Sequence, residues 1–181
     1  MIRLLVTFSL GLFLGINLIG KIAFAAKGGG PRPQDVHIAD VRKTSVYMND
    51  GVFVGGDAVV DNVSFKNIRH SNNSKFERVV LDIEGNQSGL PAELKRPPYY
   101  QIAMEPDRKR IMVTVWGAVG IDFNKKQVID SFKKSALVKR INVLPQLETD
   151  RWSFVLDMKK DRPIEVFELS QPTRVVLDIK K

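Results

Sequence analysis

Arg78-Val79-Val80-Leu81-Asp82-Ile83 and Arg174-Val175-Val176-Leu177-Asp178-Ile179 are the same hexapeptide, written twice in a chain of 181 residues. A repeat of that length predicts an internally duplicated fold. Phe154-Val155-Leu156-Asp157-Met158 is a looser copy, and Arg110-Ile111-Met112-Val113-Thr114-Val115 keeps the arginine and the apolar spacing with Thr in place of Asp. Short runs rich in Val and Ile are strands, whose side chains alternate between two faces. With Leu81 in the core, Val79 and Ile83 join it, and Arg78, Val80 and Asp82 lie on the outer face. The same alternation sends Val175, Leu177 and Ile179 inward and Arg174, Val176 and Asp178 outward. Trp152, Phe154, Leu156 and Met158 point to the core, as do Ile111, Val113 and Val115, leaving Arg110, Met112, Thr114 and Trp116 outside.

Working outward, residues 63–68 read as a first strand, His70 to Ser74 as a turn, and residues 85–98, with Gly85, Gly89 and Pro91, as a loop. Residues 99–104 and 109–116 are two strands around Glu105-Pro106-Asp107-Arg108. Val128, Ile129 and Phe132 stand at helical spacing among lysines, which predicts a short amphipathic helix over residues 124–136. Strands resume over residues 138–144, 151–158, 164–169 and 173–180. The strands at 78–83, 100–104 and 110–115 answer in order to those at 152–158, 164–168 and 174–179. Two amphipathic sheets cover each other's apolar faces, so the expected fold is mainly β: a small two-sheet β-sandwich with internal pseudo-twofold duplication and one short connecting helix.

The chain opens with Met1-Ile2-Arg3, an apolar run over residues 4–19 and Ala23-Phe24-Ala25, the pattern of a secretory signal peptide cleaved after Ala25. The run is shorter than the roughly 20 apolar residues that span a bilayer, which makes a retained anchor the lesser alternative. The formal charge of +8 falls to about +6 once Arg3 and Lys21 leave with residues 1–25. Outside the cytoplasm a basic protein meets cell-wall polymers, anionic lipids and acidic proteins rather than nucleic acid. The absence of cysteine rules out a disulfide framework and a lipid-modified cysteine, so stability rests on packing. Residues 26–60 read as a linker and N-terminal extension. Within it, residues 45–48 and 52–54 flank Asn49-Asp50-Gly51 as a hairpin would. The duplicated domain is expected over residues 61–181.

The Arg-Val-Val-Leu-Asp-Ile strands, the tyrosine-led strand at Tyr99-Tyr100 and the repeated meander resemble the AMIN domain, a module of exported cell-wall amidases and type IV pilus secretins. The resemblance covers residues 61–181 and implies a two-sheet β fold that binds peptidoglycan and localises its host to the envelope. The sequence ends at Lys181, so the expectation is a stand-alone module in the periplasm. The alternative is a periplasmic assembly factor for a secretin or division complex, pairing a partner strand along an open sheet edge at the C-terminal strand.

Catalysis is not expected, and no cofactor is. A zinc amidase needs several His and Glu ligands on one metal. This chain has two histidines, His37 and His70, without a His-Glu-x-x-His motif. His37 and Asp40 stand at a metal-edge spacing, but such a pair is more often solvated surface. Asp82 and Glu84 share a strand face that a polar outer sheet explains without glycosidase chemistry. A reader of peptidoglycan needs forked donors for stem carboxylates, polar groups for amides and hydroxyls, and flat apolar contacts. The expected ligand-binding residues are Arg78, Asp82, Arg110, Thr114, Trp116, Arg174 and Asp178. The competing reading pairs these arginines and aspartates across strands and lays Trp116 under the helix.

Overall fold

The computed structural model describes residues 35–181 apart from 88 and 118. The expected signal peptide and most of the linker lie outside the described residues. Among the described residues twelve strands form, in chain order: β1 (Val36–Ile38), β2 (Val52–Gly55), β3 (Val63–Asn72), β4 (Phe76–Gln87), β5 (Leu90–Ala92), β6 (Tyr100–Glu105), β7 (Arg110–Trp116), β8 (Val119–Ile121), β9 (Val138–Val143), β10 (Arg151–Met158), β11 (Ile164–Ser170) and β12 (Thr173–Lys180). One sheet runs β1-β2-β6-β7-β10-β9. The other runs β11-β12-β4-β3-β8, with β5 on the far end of β4. The expected two-sheet, mainly β fold is the one observed.

Exchanging β3, β4, β6 and β7 for β9, β10, β11 and β12 turns the order β6-β7-β10-β9 of the first sheet into β11-β12-β4-β3 of the second. Each sheet therefore combines the hairpin of one half with the two leading strands of the other. The two identical hexapeptides are not equivalent strands in this exchange. They are neighbours, β4 and β12, paired antiparallel so that Arg78 faces Asp178 and Arg174 faces Asp82. A strand with Arg and Asp four positions apart is complementary to itself when reversed. The equivalent pair, β7 with β10, sets Arg110 against Asp157 and Thr114 against Ser153.

The core lies between the sheets. Phe65, Leu81, Tyr100, Trp152, Phe154, Leu156 and Leu177 are essentially without exposure, and the Trp152 indole N–H donates to the Leu144 carbonyl at 3.1 Å. In β3 the register passes from Phe65 opposite Ile83 to Asn67 opposite Asp82, leaving Lys66 as a bulge. The extra residue changes the phase of alternation, so Phe65 and Ile68 both reach the core. Pairing also carries β3 through His70 to Asn72, where a turn was expected. Asn124 caps the helix α1 (Lys125–Ser131) through a bond from the Gln127 N–H to its side chain, and a 3-10 turn follows at Phe132–Lys134. Val128 and Phe132, one turn apart, are buried. Ile129, a step further around, is half exposed.

Three further expectations are corrected. The hairpin over residues 45–54 does not form. Gly51, at φ +99°, turns the chain, but Met48 bridges to Ile164 of the second sheet whereas β2 pairs with β6 and β1 of the first. The segment thus crosses from one sheet to the other. The outer face of the second sheet is not all solvated: Val80 and Val176 are buried in a cluster with Phe167, and Lys43, from the stretch over residues 40–48, reaches over the buried Asp178 and the Phe167 ring. Thirdly, the C-terminal strand is no edge, since β12 sits between β11 and β4.

Candidate functional site

The seven outward residues separate into three places. Arg110, Thr114 and Trp116 are on the outer face of the first sheet. There Arg110 Nε donates to Asp157 Oδ1 at 2.9 Å, and Thr114 shares a 2.9 Å bond with the Ser153 hydroxyl. Asp157 also takes Arg140 Nε at 2.5 Å and the Asn142 amide at 2.9 Å. Burial would raise this carboxyl, but those donors outweigh it and hold it below its usual range. Trp116 does not lie under the helix: its ring packs on Tyr99, centroids 5.2 Å apart.

Arg78 and Asp178 belong to the covered half of the second sheet's outer face. Arg78 forks onto Asp178 with bonds of 2.6 and 2.8 Å, and the carboxylate is fully buried. The cross-strand pairing weighed against ligand contact is the geometry found here.

Asp82 and Arg174 remain open. They line a groove of about 780 Å³ where β12 gives way to β5 along β4, with Leu94, Glu93 and the Gln171-Pro172 turn as its other wall. Arg69 Nε and Nη2 clasp Asp82 at 2.5 and 2.6 Å, and Arg174 Nε reaches the same carboxylate at 3.1 Å. Two guanidinium groups on one carboxylate leave a local positive excess. The terminal nitrogens of Arg174 carry no hydrogen bond to another described residue, and its side chain is 30% exposed. Lys66, the bulge residue, adds a cation at one end, bonded to Asp122 at 2.5 Å and 3.4 Å from Glu84. The arrangement can accept a carboxylate on Arg174, and Glu84 and Glu93 offer acceptors for amides or hydroxyls. Arg69 was not singled out in the sequence, because its place opposite Val80 follows only from the bulge.

Other polar groups are structural. Glu77 is wholly buried and accepts from the Ser135 hydroxyl, from the Ala136 N–H at 2.6 Å and from His70 at 3.1 Å. Burial acts to raise its carboxyl, yet these bonds keep it below the usual carboxylate range. Tyr100 meets Glu168 at 3.2 Å between the sheets, and burial followed by that carboxylate pushes the phenol well above its usual value. His37 sits on Phe53, and among the described residues no three His, Cys, Asp or Glu converge as metal ligands. No helix of the described residues is long and apolar enough to cross a membrane.

The model of the AMIN-like domain matches residues 63–181, well over half of the chain. The chain belongs to the AMIN-like family. No match to a curated protein accompanies it. AMIN-like domains are envelope-associated modules and typically non-catalytic. In this AMIN-like domain the groove, the two arginine–aspartate pairs of β4 and β12, and the first-sheet face with Trp116 all fall inside the matched residues, whereas residues 35–60 precede them.

Proposed function

We propose that the protein is a non-catalytic, exported envelope module that binds peptidoglycan through the groove bounded by Arg69, Asp82 and Arg174. Family membership supports the wall as its setting, and the observation that carries the reading is Arg174, held by Asp82 yet with its terminal donors free among the described residues. A stem carboxylate takes those donors in a forked bond, while the acidic wall of the groove meets stem amides and glycan hydroxyls. Export with cleavage after Ala25 brings the domain to the periplasm. Arg78, Asp178 and Arg110 lie outside the groove and position strands by pairing.

Co-sedimentation with purified sacculi tests it. The protein is expected to pellet with sacculi, and less so as salt rises. Arg174→Ala should weaken the association by about tenfold, as expected for losing a charge-assisted bond, with an unchanged melting temperature. Sedimentation indifferent to Arg69 and Arg174 would remove the groove from the account.

A further inference from the structure

On the covered half of the second sheet's outer face, a cation sits where a ligand would. Lys43 Nζ lies 2.7 Å from Glu165 Oε2, 2.5 Å from Asp178 Oδ2 and 3.3 Å from the Tyr47 hydroxyl. Three oxygen acceptors thus meet the three N–H donors of one ammonium. The same nitrogen stands over the rings of Phe76, Tyr47 and Phe167, at 4.5, 5.3 and 5.7 Å from their centroids. Both carboxylates are buried, and the lysine side chain is 31% exposed.

Most of this cage stands without the lysine. Glu165, Phe167 and Asp178 are on β11 and β12, and Phe76 opens β4. Asp178 keeps its forked bond from Arg78, whose guanidinium lies 4.9 Å from the Phe76 ring centroid. Glu165 Oε1 accepts from the Thr44 and Ser45 N–H groups at 2.6 Å each. Lys43 and Tyr47 come from a stretch without helix or strand, fixed to β11 by bridges at Asp40 and Met48. Val41 and Val46 point into solvent, 74% and 55% exposed, so little apolar burial holds the stretch down. With Arg78 and Lys43 against Glu165 and Asp178 the charges balance. Remove Lys43, and a buried negative charge is left facing aromatic rings.

We infer that the second sheet carries an ammonium-binding site for the end of an unbranched alkylammonium side chain, which Lys43 occupies as a built-in competitor. On the wall reading, the natural ligand is a free side-chain amine of a stem peptide; that choice of source alone rests on that reading.

Cadaverine, titrated by calorimetry into the wild-type protein, Lys43→Ala and Lys43→Met, tests the site without sacculi, so a failure of wall binding leaves the result readable. Lys43→Ala should bind at least about tenfold tighter than wild type, the equivalent of one charge-assisted bond. Lys43→Met, whose thioether refills the cage, should not gain, and adding Glu165→Gln to Lys43→Ala should return about tenfold. In the wild type, saturating cadaverine should speed hydrogen exchange at the Thr44 and Ser45 amides as they leave Glu165, a readout that stands even if Lys43→Ala fails to fold. Equal binding by the Ala and Met variants, or unchanged exchange in the wild type, would overturn the assignment.

Discussion

Asp178 is a carboxylate without solvent exposure that holds Arg78 on one side and Lys43 on the other. Glu77, Asp157 and Glu165 are buried as well, and in these three the donors outweigh desolvation and hold the carboxyl below its usual range. Their folded-state pKa values lie below the unfolded ones, so acid protonates the unfolded chain first. The stability they contribute is complete above the unfolded values and is lost as pH falls through the folded ones. Urea midpoints should therefore decline below about pH 5, near the top of the unfolded carboxylate range, and Glu77→Gln should flatten the decline; a midpoint that rises with acid would contradict this account. Leu81 and Leu177 are fully buried, and alanine at either should destabilise by about 2–5 kcal/mol in the same assay. Alternation along the strands makes these leucines, and Trp152, legible as core from the residues alone. It does not show that Asp178 is covered, because the cover comes from residues far away in the sequence.

At the scale of elements, β3 depends on one inserted residue. Lys66 lets Phe65 and Ile68, three apart, share a face that a regular strand would split between them. Deleting Lys66 should force one end of β3 to turn its apolar residues outward, and near-ultraviolet circular dichroism should lose the signal of packed aromatics. Replacement by Ala, which keeps the residue count, should leave that spectrum intact. The sequence does not announce the bulge. Val63, Phe65 and Ile68 read as a strand whatever the phase, and only pairing with β4 decides it. The same blindness hid the groove: Arg174 and Asp82 were visible as motif residues, but the wall that makes them a site is β5, a short strand within what reads as a Gly- and Pro-containing loop. The Asn49-Asp50-Gly51 turn is legible as a turn, but not where its flanks go: Met48 bridges β11 of the second sheet and β2 pairs within the first.

At the scale of the whole molecule, the duplication was readable because both halves keep strand order, but the way they interlock was not. Neither half owns a complete sheet. Fragments covering residues 61–123 and 124–181 should each lack cooperative unfolding when made alone. Mixed, they should recover the intact protein's dispersed amide spectrum, and a fragment that folds by itself would break the argument. The central position of β12 has a temporal consequence. Thr173–Lys180 fills the slot between β11 and β4, so during synthesis β11 cannot join β4 until the eight residues of β12 leave the ribosome. Contacts between the first hexapeptide and the second span most of the domain, which makes the closing step a long-range one and slow. Until β12 emerges, a nascent chain of this design holds its second sheet in separate pieces with an open seam along β4.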